Sequence, residues 1–164
     1  MLPNQRLDET VNPVVAAVGL LLTSTLGDTT YVSVKNYRRV QIIIVIADGT
    51  TVTGTAVTLK QATAVAGTGE KALAFTRMLA NVDYAASKVM VETAVVASTF
   101  TTQSVNSKDS VYIIDVDTDT LDAAGGFDCL RVDATGHAAT ASRGCVVLYN
   151  LYGARYSGAS PLAD

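Results

Sequence analysis

The sequence predicts an all-β domain, a single sandwich or barrel of about eight strands, and three observations predict it. Apolar and polar residues alternate with period two in segment after segment, the pattern of a strand with one face buried. Turn signals separate these segments, and no helical pattern of the kind that links parallel strands lies between them. The composition is rich in Val and Thr and poor in Lys and Glu, which suits pleated, half-buried backbone.

Residues 1–13 are polar and hold Pro3 and Pro13. A residue before proline is pushed away from helical backbone, so this stretch reads as an extended N-terminal arm. The β domain follows over 14–156, with a tail of small and polar residues over 157–164. Tyr31-Val32-Ser33-Val34-Lys35 alternates as a half-buried strand should. Val40 to Ala47 is a β-branched run suited to a strand covered on both faces, and it ends at the turn dipeptide Asp48-Gly49. Thr55 to Ala62 points Val57, Leu59 and Gln61 to one side, and the small residues from Ala64 to Gly69 form a loop.

Lys71 to Leu79 has the Ala and Leu content of a helix. Yet Ala72, Ala74, Thr76 and Met78 alternate with Leu73, Phe75, Arg77 and Leu79, and the run is short for an isolated helix, so strand is expected. Lys88 to Val96 alternates with a bulge near Ala94-Val95, and Val111 to Val116 is a further strand. Asp117 to Gly126 reads as a short helical turn stopped by Gly125-Gly126. Phe127 to Asp133 and Gly144 to Leu151 complete the set.

At 164 residues the chain suits one domain able to bury a core of its own. Its charged fraction is 16%, below the roughly 25% of average soluble domains, while its hydrophobic fraction is 49%. One origin of such a balance is a membrane span. The longest apolar runs, Val14 to Leu22 and the Gln41-interrupted Val40 to Ala47, fall short of the roughly 20 residues a spanning helix needs. The low charge therefore points to a surface partly covered by partners. Val14 to Leu22 does not read as a secretory signal either, since Asp8 and Glu9 outweigh Arg6 before it. Synthesis and assembly in the cytoplasm are expected. The net charge is −3, and Lys35, Arg38 and Arg39 form the single small basic cluster, too little to neutralise a phosphate backbone, so no nucleic-acid binding is expected.

Reactive chemistry is sparse. His137, in the turn-like Thr135-Gly136-His137-Ala138, has no second histidine with which to build a metal site or triad. Cys129 and Cys145 sit among apolar neighbours and read as buried thiols, with a bridge between neighbouring strands left open. Asp115, Asp117 and Asp119 resemble the start of a calcium loop, but Thr120 stands where glycine is needed and Gly126 where a bidentate Glu is needed. A solvated strand edge accounts for them, its like charges discouraging wrong pairing. Ala66-Gly67-Thr68-Gly69-Glu70-Lys71 lacks both the glycine-lysine order and the βαβ setting of a phosphate loop. Neither enzyme activity, cofactor nor resident metal is expected. The hydroxyl-rich Ser98 to Ser104 suits an exposed sheet or a carbohydrate contact. Arg38, Arg39, Tyr149, Tyr152, Arg155 and Tyr156 are candidate interface residues, because Tyr and Arg are enriched where interfaces carry energy. The C-terminal members also fit the core and rim of a last strand.

Tyr37-Arg38-Arg39-Val40, Val57-Thr58-Leu59-Lys60-Gln61-Ala62, Lys71-Ala72-Leu73-Ala74-Phe75, Gly126-Phe127-Asp128-Cys129-Leu130-Arg131 and Tyr152-Gly153-Ala154-Arg155-Tyr156 occur in that order. Together, over Gly27 to Tyr156, the chain resembles a family of small tailed-bacteriophage structural proteins encoded near the major capsid protein. The resemblance implies a virion protein, a decoration or cement subunit on the capsid surface. Its implied partners are the major capsid protein and further copies of itself, commonly as a trimer. A tail-tube or head-tail joining subunit is the alternative within the same class. A β-sandwich carbohydrate- or receptor-binding module is the alternative outside it, against which stand the absence of Trp and an aromatic fraction of 6%.

Overall fold

The computed structural model describes residues 11–21 (side chains as far as Val15), 31–50, 52–134 and 143–155. Its strands are β1 (Val11–Leu21), β2 (Val32–Ser33), β3 (Arg39–Ile46), β4 (Ala56–Ala62), β5 (Lys71–Ala72) and β6 (Phe75–Asn81), then β7 (Val91–Ala97), β8 (Thr99–Thr101), β9 (Ser110–Asp117), β10 (Cys129–Ala134) and β11 (Gly144–Tyr152). They form two antiparallel sheets. The larger has the order β1-β11-β3-β9-β6-β7, and the smaller β2-β10-β4-β5, with β8 also on β4. The sheets do not close on each other as a barrel, so of the two expected architectures the sandwich is the one adopted.

Period-two alternation decides which residues fill the space between the sheets. From the larger sheet, Val40, Ile42, Ile44 and Ile46 of β3 have no exposed surface, and Tyr112, Ile114, Cys145, Val147, Tyr149 and Leu151 flank them. From the smaller sheet come Val57, Leu59, Leu130, Val132 and Ala134. The chain changes sheets between β5 and β6 and again at Ser98 between β7 and β8. Both corners are tied to one residue: Leu59 N–H donates to Ser98 O at 2.9 Å, and Leu59 O accepts from Leu73 N–H at 2.9 Å. One flank of the sandwich is thereby closed by backbone. Phe75, Phe100 and Tyr112 pack behind those corners, with centroids 6.3 and 5.0 Å apart.

Each of the eight predicted segments is extended. Lys71 to Leu79 is strand rather than helix, split into β5 and β6 by the corner at Leu73-Ala74. The bulge expected near Ala94-Val95 is present as a register shift between Ala94 and Ala97, opposite Arg77 and Phe75. Asp117 to Gly126 forms two single 3-10 turns, and Gly126 closes the second in the left-handed region at φ 78°.

The N-terminal arm is shorter than expected. Val11, Asn12 and Pro13 already pair with Tyr152, Leu151 and Asn150, so 11–13 belong to β1. Proline hid this strand, yet on an edge its missing N–H leaves no ladder bond unmade. Residues 1–10 of the arm, His137, Tyr156 and the tail 157–164 lie outside the described residues. The thiols are both buried and free, and Cys129 and Cys145 belong to different sheets, so the alternative of a bridge is not realised. Burial pushes the Cys145 thiol up to about 12.

One end of the sandwich is held by a residue to which no motif pointed. Arg143 is fully buried. Its Nε donates to Ala47 O at 2.9 Å and its Nη2 to Lys108 O at 3.4 Å, joining the ends of three connections. Gly49 lies over its stem, where a Cβ would meet Arg143 Cγ at 2.8 Å. Burial disfavours the guanidinium charge, and its Nη1 has no partner among the described residues. Truncation and charge removal should therefore have different effects. Arg143→Ala is expected to lower stability by about 2–4 kcal/mol, through the void and two orphaned carbonyls. Arg143→Met leaves the same two carbonyls orphaned but fills the void and removes a desolvated charge, and is expected to cost less, about 1–2 kcal/mol. Urea melts of both variants check this, and equal losses would count against it.

Candidate assembly interface

A sandwich has two outward faces, and here their chemistry differs. On the smaller sheet the outward residues form an ionic and hydroxyl surface. Lys60 Nζ lies 3.0 Å from Glu70 Oε1 and 2.5 Å from Asp133 Oδ2, and Arg131 Nη2 lies 3.1 Å from Glu70 Oε2. Tyr31 hydroxyl donates to Glu70 Oε2 at 2.9 Å, and the Arg131 guanidinium lies 4.5 Å over the Tyr31 ring. Hydrogen bonds from Lys60 and Tyr31 hold the Glu70 carboxyl below its usual range. Thr99, within the hydroxyl-rich stretch singled out by sequence, shares a hydrogen bond of 2.8 Å with Thr58 across β8 and β4. This is a face made for water.

The larger sheet turns a different face outward. Val15, Leu148, Ile43, Ile113 and Leu79 stand side by side across β1, β11, β3, β9 and β6, each in register with the next. Val146, Val45 and Val111 form a second apolar row beside the first. Val15 is 56% exposed and Val45 37%; the others are half-buried by their neighbours. The run Val40 to Ala47 was expected to be covered on both faces, but among the described residues a second sheet covers only its inner face. Toward one end the rows turn polar: Asn150, Gln41 and Asp115 lie across β11, β3 and β9, then Tyr152, Arg39 and Asp117.

The loop between β6 and β7 stands above this face. Asn81 anchors it by donating to Ser87 O at 2.7 Å and Val89 O at 2.9 Å. Tyr84, Lys88 and Met90 of the loop wall a cleft of about 690 Å³ with Val45, Val111, Ile113 and Val146 among its lining residues. The Lys88 ammonium lies 4.1 Å over the Tyr84 ring. The cleft is open to solvent along the sheet, and apolar side chains supply most of its lining.

The interface candidates from sequence separate into two groups. Arg38, Arg39, Tyr152 and Arg155 gather at the polar end of the larger sheet. Arg39 Nη2 lies 3.5 Å from Asp115 Oδ2, and Tyr152 hydroxyl donates to Asp115 Oδ1 at 2.5 Å. Burial, then this hydrogen bond, raises the Tyr152 phenol to about 12. Arg155 Nη2 reaches Asp119 Oδ1 at 3.0 Å, and Arg38 stands exposed beside Gly153. Tyr149 is not an interface residue. It is fully buried between the sheets, where its hydroxyl accepts from Val132 N–H at 2.7 Å; alternation along β11 places it inward while Tyr152 faces out. The acidic run is an edge on one side only: β9 pairs with β3 as far as Asp117, whereas its pairing with β6 stops at Ile114. Asp115 is engaged by Arg39 and Tyr152, and Asp117 Oδ1 accepts from Asp119 N–H in the following turn. Among the described residues no group of three or more His, Cys, Asp or Glu side chains could hold a metal ion, and no helix is long and apolar enough to cross a membrane.

Composition alone did not mark Leu148, Ile43, Ile113 and Leu79 as interface residues. The signal that could have found them is a strand apolar at every position, since a sheet with one wet face should alternate. No protein-family model, no curated protein and no solved structure matches this chain.

Proposed function

We propose that this chain is a structural subunit of a bacteriophage virion, a capsid decoration or cement protein that works by burying its larger sheet's outer face in an assembly. One observation carries the proposal: two adjacent apolar rows cross the centre of that sheet with no second sheet of the described residues over them, while the opposite face of the same domain is ionic. Contiguous exposed apolar surface rimmed by polar groups marks a protein contact. The polar end, with Arg38, Arg39, Tyr152 and Arg155, supplies the rim of such a contact. The likeness of five ordered segments to small virion proteins supplies the class of assembly. The work done is mechanical: each copy adds buried area along a seam, and repetition over a lattice multiplies a modest contact.

The test is to purify particles from a host expressing the gene, identify the chain by mass spectrometry, and locate it by electron cryo-microscopy. The expected result is density on the capsid exterior at lattice positions. Density confined to tails or the head-tail joint would replace the decoration role with a tail or joining role. Recovery of the chain exclusively as free protein would overturn the virion reading.

A further inference from the structure

We infer that the apolar outer face of the larger sheet is covered by the same face of a second copy, the two sheets stacked about a two-fold axis that runs parallel to the strands between β3 and β9. This rests on the reading of that face as an assembly surface and names its occupant. The argument is one of register. A two-fold axis along the strands keeps the order of the rows and reverses the order of the strands. It therefore sets β3 over β9 of the second copy, and β11 over β6. Ile43 then faces Ile113, Val45 faces Val111 and Leu148 faces Leu79, so apolar rows meet apolar rows. At the polar end Arg39, which is registered opposite Asp117 within one chain, also faces Asp117 of the second copy, and this contact occurs twice.

Every other outward charge on these strands meets a neutral or opposite group. Asp115 faces Gln41, and Arg77, next to Met78 on β6, faces Asn150. Glu92 keeps Arg77 Nε of its own chain at 3.1 Å and faces Val15. A two-fold axis across the strands, midway along these four rows, would instead lay the apolar rows on Gln41, Asp115, Arg39 and Asp117, which strands the charges in an apolar seam. Self-complementarity thus selects one axis from the two. An isologous contact needs this property, because one patch must serve as both halves.

The area suffices. Six strands at about 4.8 Å spacing and seven residues at about 3.4 Å rise give a face of roughly 24 by 24 Å, or about 1,200 Å² for the pair, at the lower bound of specific interfaces. Sandwiched sheets pack at about 10 Å. Two copies joined in this way keep both ionic outer faces, those of Lys60, Glu70, Arg131 and Asp133, turned to water.

The test uses the full chain and sedimentation velocity, with circular dichroism as the check on folding. The parent is expected to sediment as a dimer at micromolar concentration. Ile43→Glu, at an outward position, is expected to weaken association by roughly 100-fold with the β spectrum unchanged. Arg39→Asp and Asp117→Arg are each expected to weaken association at least tenfold, by setting like charges opposite each other twice. An equimolar mixture of those two single variants is expected to recover the heterodimer. The carboxylate introduced in one chain then faces the guanidinium introduced in the other, while the changes within each chain persist. A folded monomer, or a mixture that stays monomeric, would overturn the two-fold pair. A trimer or larger ring would also overturn it, while leaving the virion reading to be decided by particle composition.

Discussion

Replacing Ile44 by alanine is expected to destabilise the domain by about 3–5 kcal/mol, the upper part of the range for a fully buried isoleucine. Ile44 sits at the centre of β3 with no exposed surface, between Val147 on β11 and Tyr112 on β9. Neighbours on both sides are held in hydrogen-bonded strands, so the site collapses little and a cavity persists. For a domain of this length each kcal/mol lowers the melting temperature by roughly 2–4 °C, so a fall of roughly 6–20 °C is expected. The adjacent residue is the control. Ile43 projects from the other face of the same strand, and Ile43→Ala in a dissociated chain is expected to cost about 1 kcal/mol or less. Differential scanning calorimetry of the two variants at low protein concentration measures both. Equal losses would mean that the outer face is covered within one chain, contrary to the register described above. At concentrations where copies associate, the Ile43→Ala loss should grow while the Ile44→Ala loss should not.

Tyr149→Phe is expected to cost about 1–3 kcal/mol although it removes one oxygen atom. Beyond Leu130 the strand β10 has β4 on one flank and, among the described residues, no strand on the other, because β2 pairs with Cys129 and Leu130 alone. The Val132 N–H therefore has no ladder partner on its open side, and Tyr149 reaches across from the opposite sheet to accept from it at 2.7 Å. Without the hydroxyl a buried donor is left unmade. Tyr149→Ala should cost about 3–5 kcal/mol, since the ring volume is lost as well. Hydrogen exchange provides a local readout: the Val132 amide should lose protection in Tyr149→Phe by more than its neighbours Arg131 and Asp133. If all three amides change alike, the cross-sheet bond is not what holds this corner. Burial also holds the Tyr149 phenol well above its ordinary range, so it accepts from Val132 N–H as a neutral group throughout the pH range in which the domain is folded.

Much of this fold was legible because strand alternation is a local property. Thr55 to Ala62 and Phe127 to Asp133 carry their inward residues at every second position, so their faces follow from the order of residues. β1 was not legible: Pro13 argues against a strand unless the partner is known to lie on one side alone, and that is information about β11, not about β1. Nor was Arg143, whose isolated charge in the sequence resembles any solvated arginine; its carbonyl partners lie 96 and 35 residues away. The interface candidates divided for the same reason. Tyr149 and Tyr152 are three positions apart on one strand, which sends one into the core and the other to the rim.

By itself the sequence determined an all-β domain, the residues of most of its strands, the burial of both thiols and the excess of apolar residues over charged ones. Those follow from periodicity and composition, which act within a few residues. Only the tertiary structure decided which apolar residues share a face, because strands distant in sequence must first be set in register before Leu148, Ile43, Ile113 and Leu79 become one row. A strand apolar at every position announces that both its faces prefer to be dry. Sheet order alone reveals that, among the described residues, one of those faces has no second sheet laid over it.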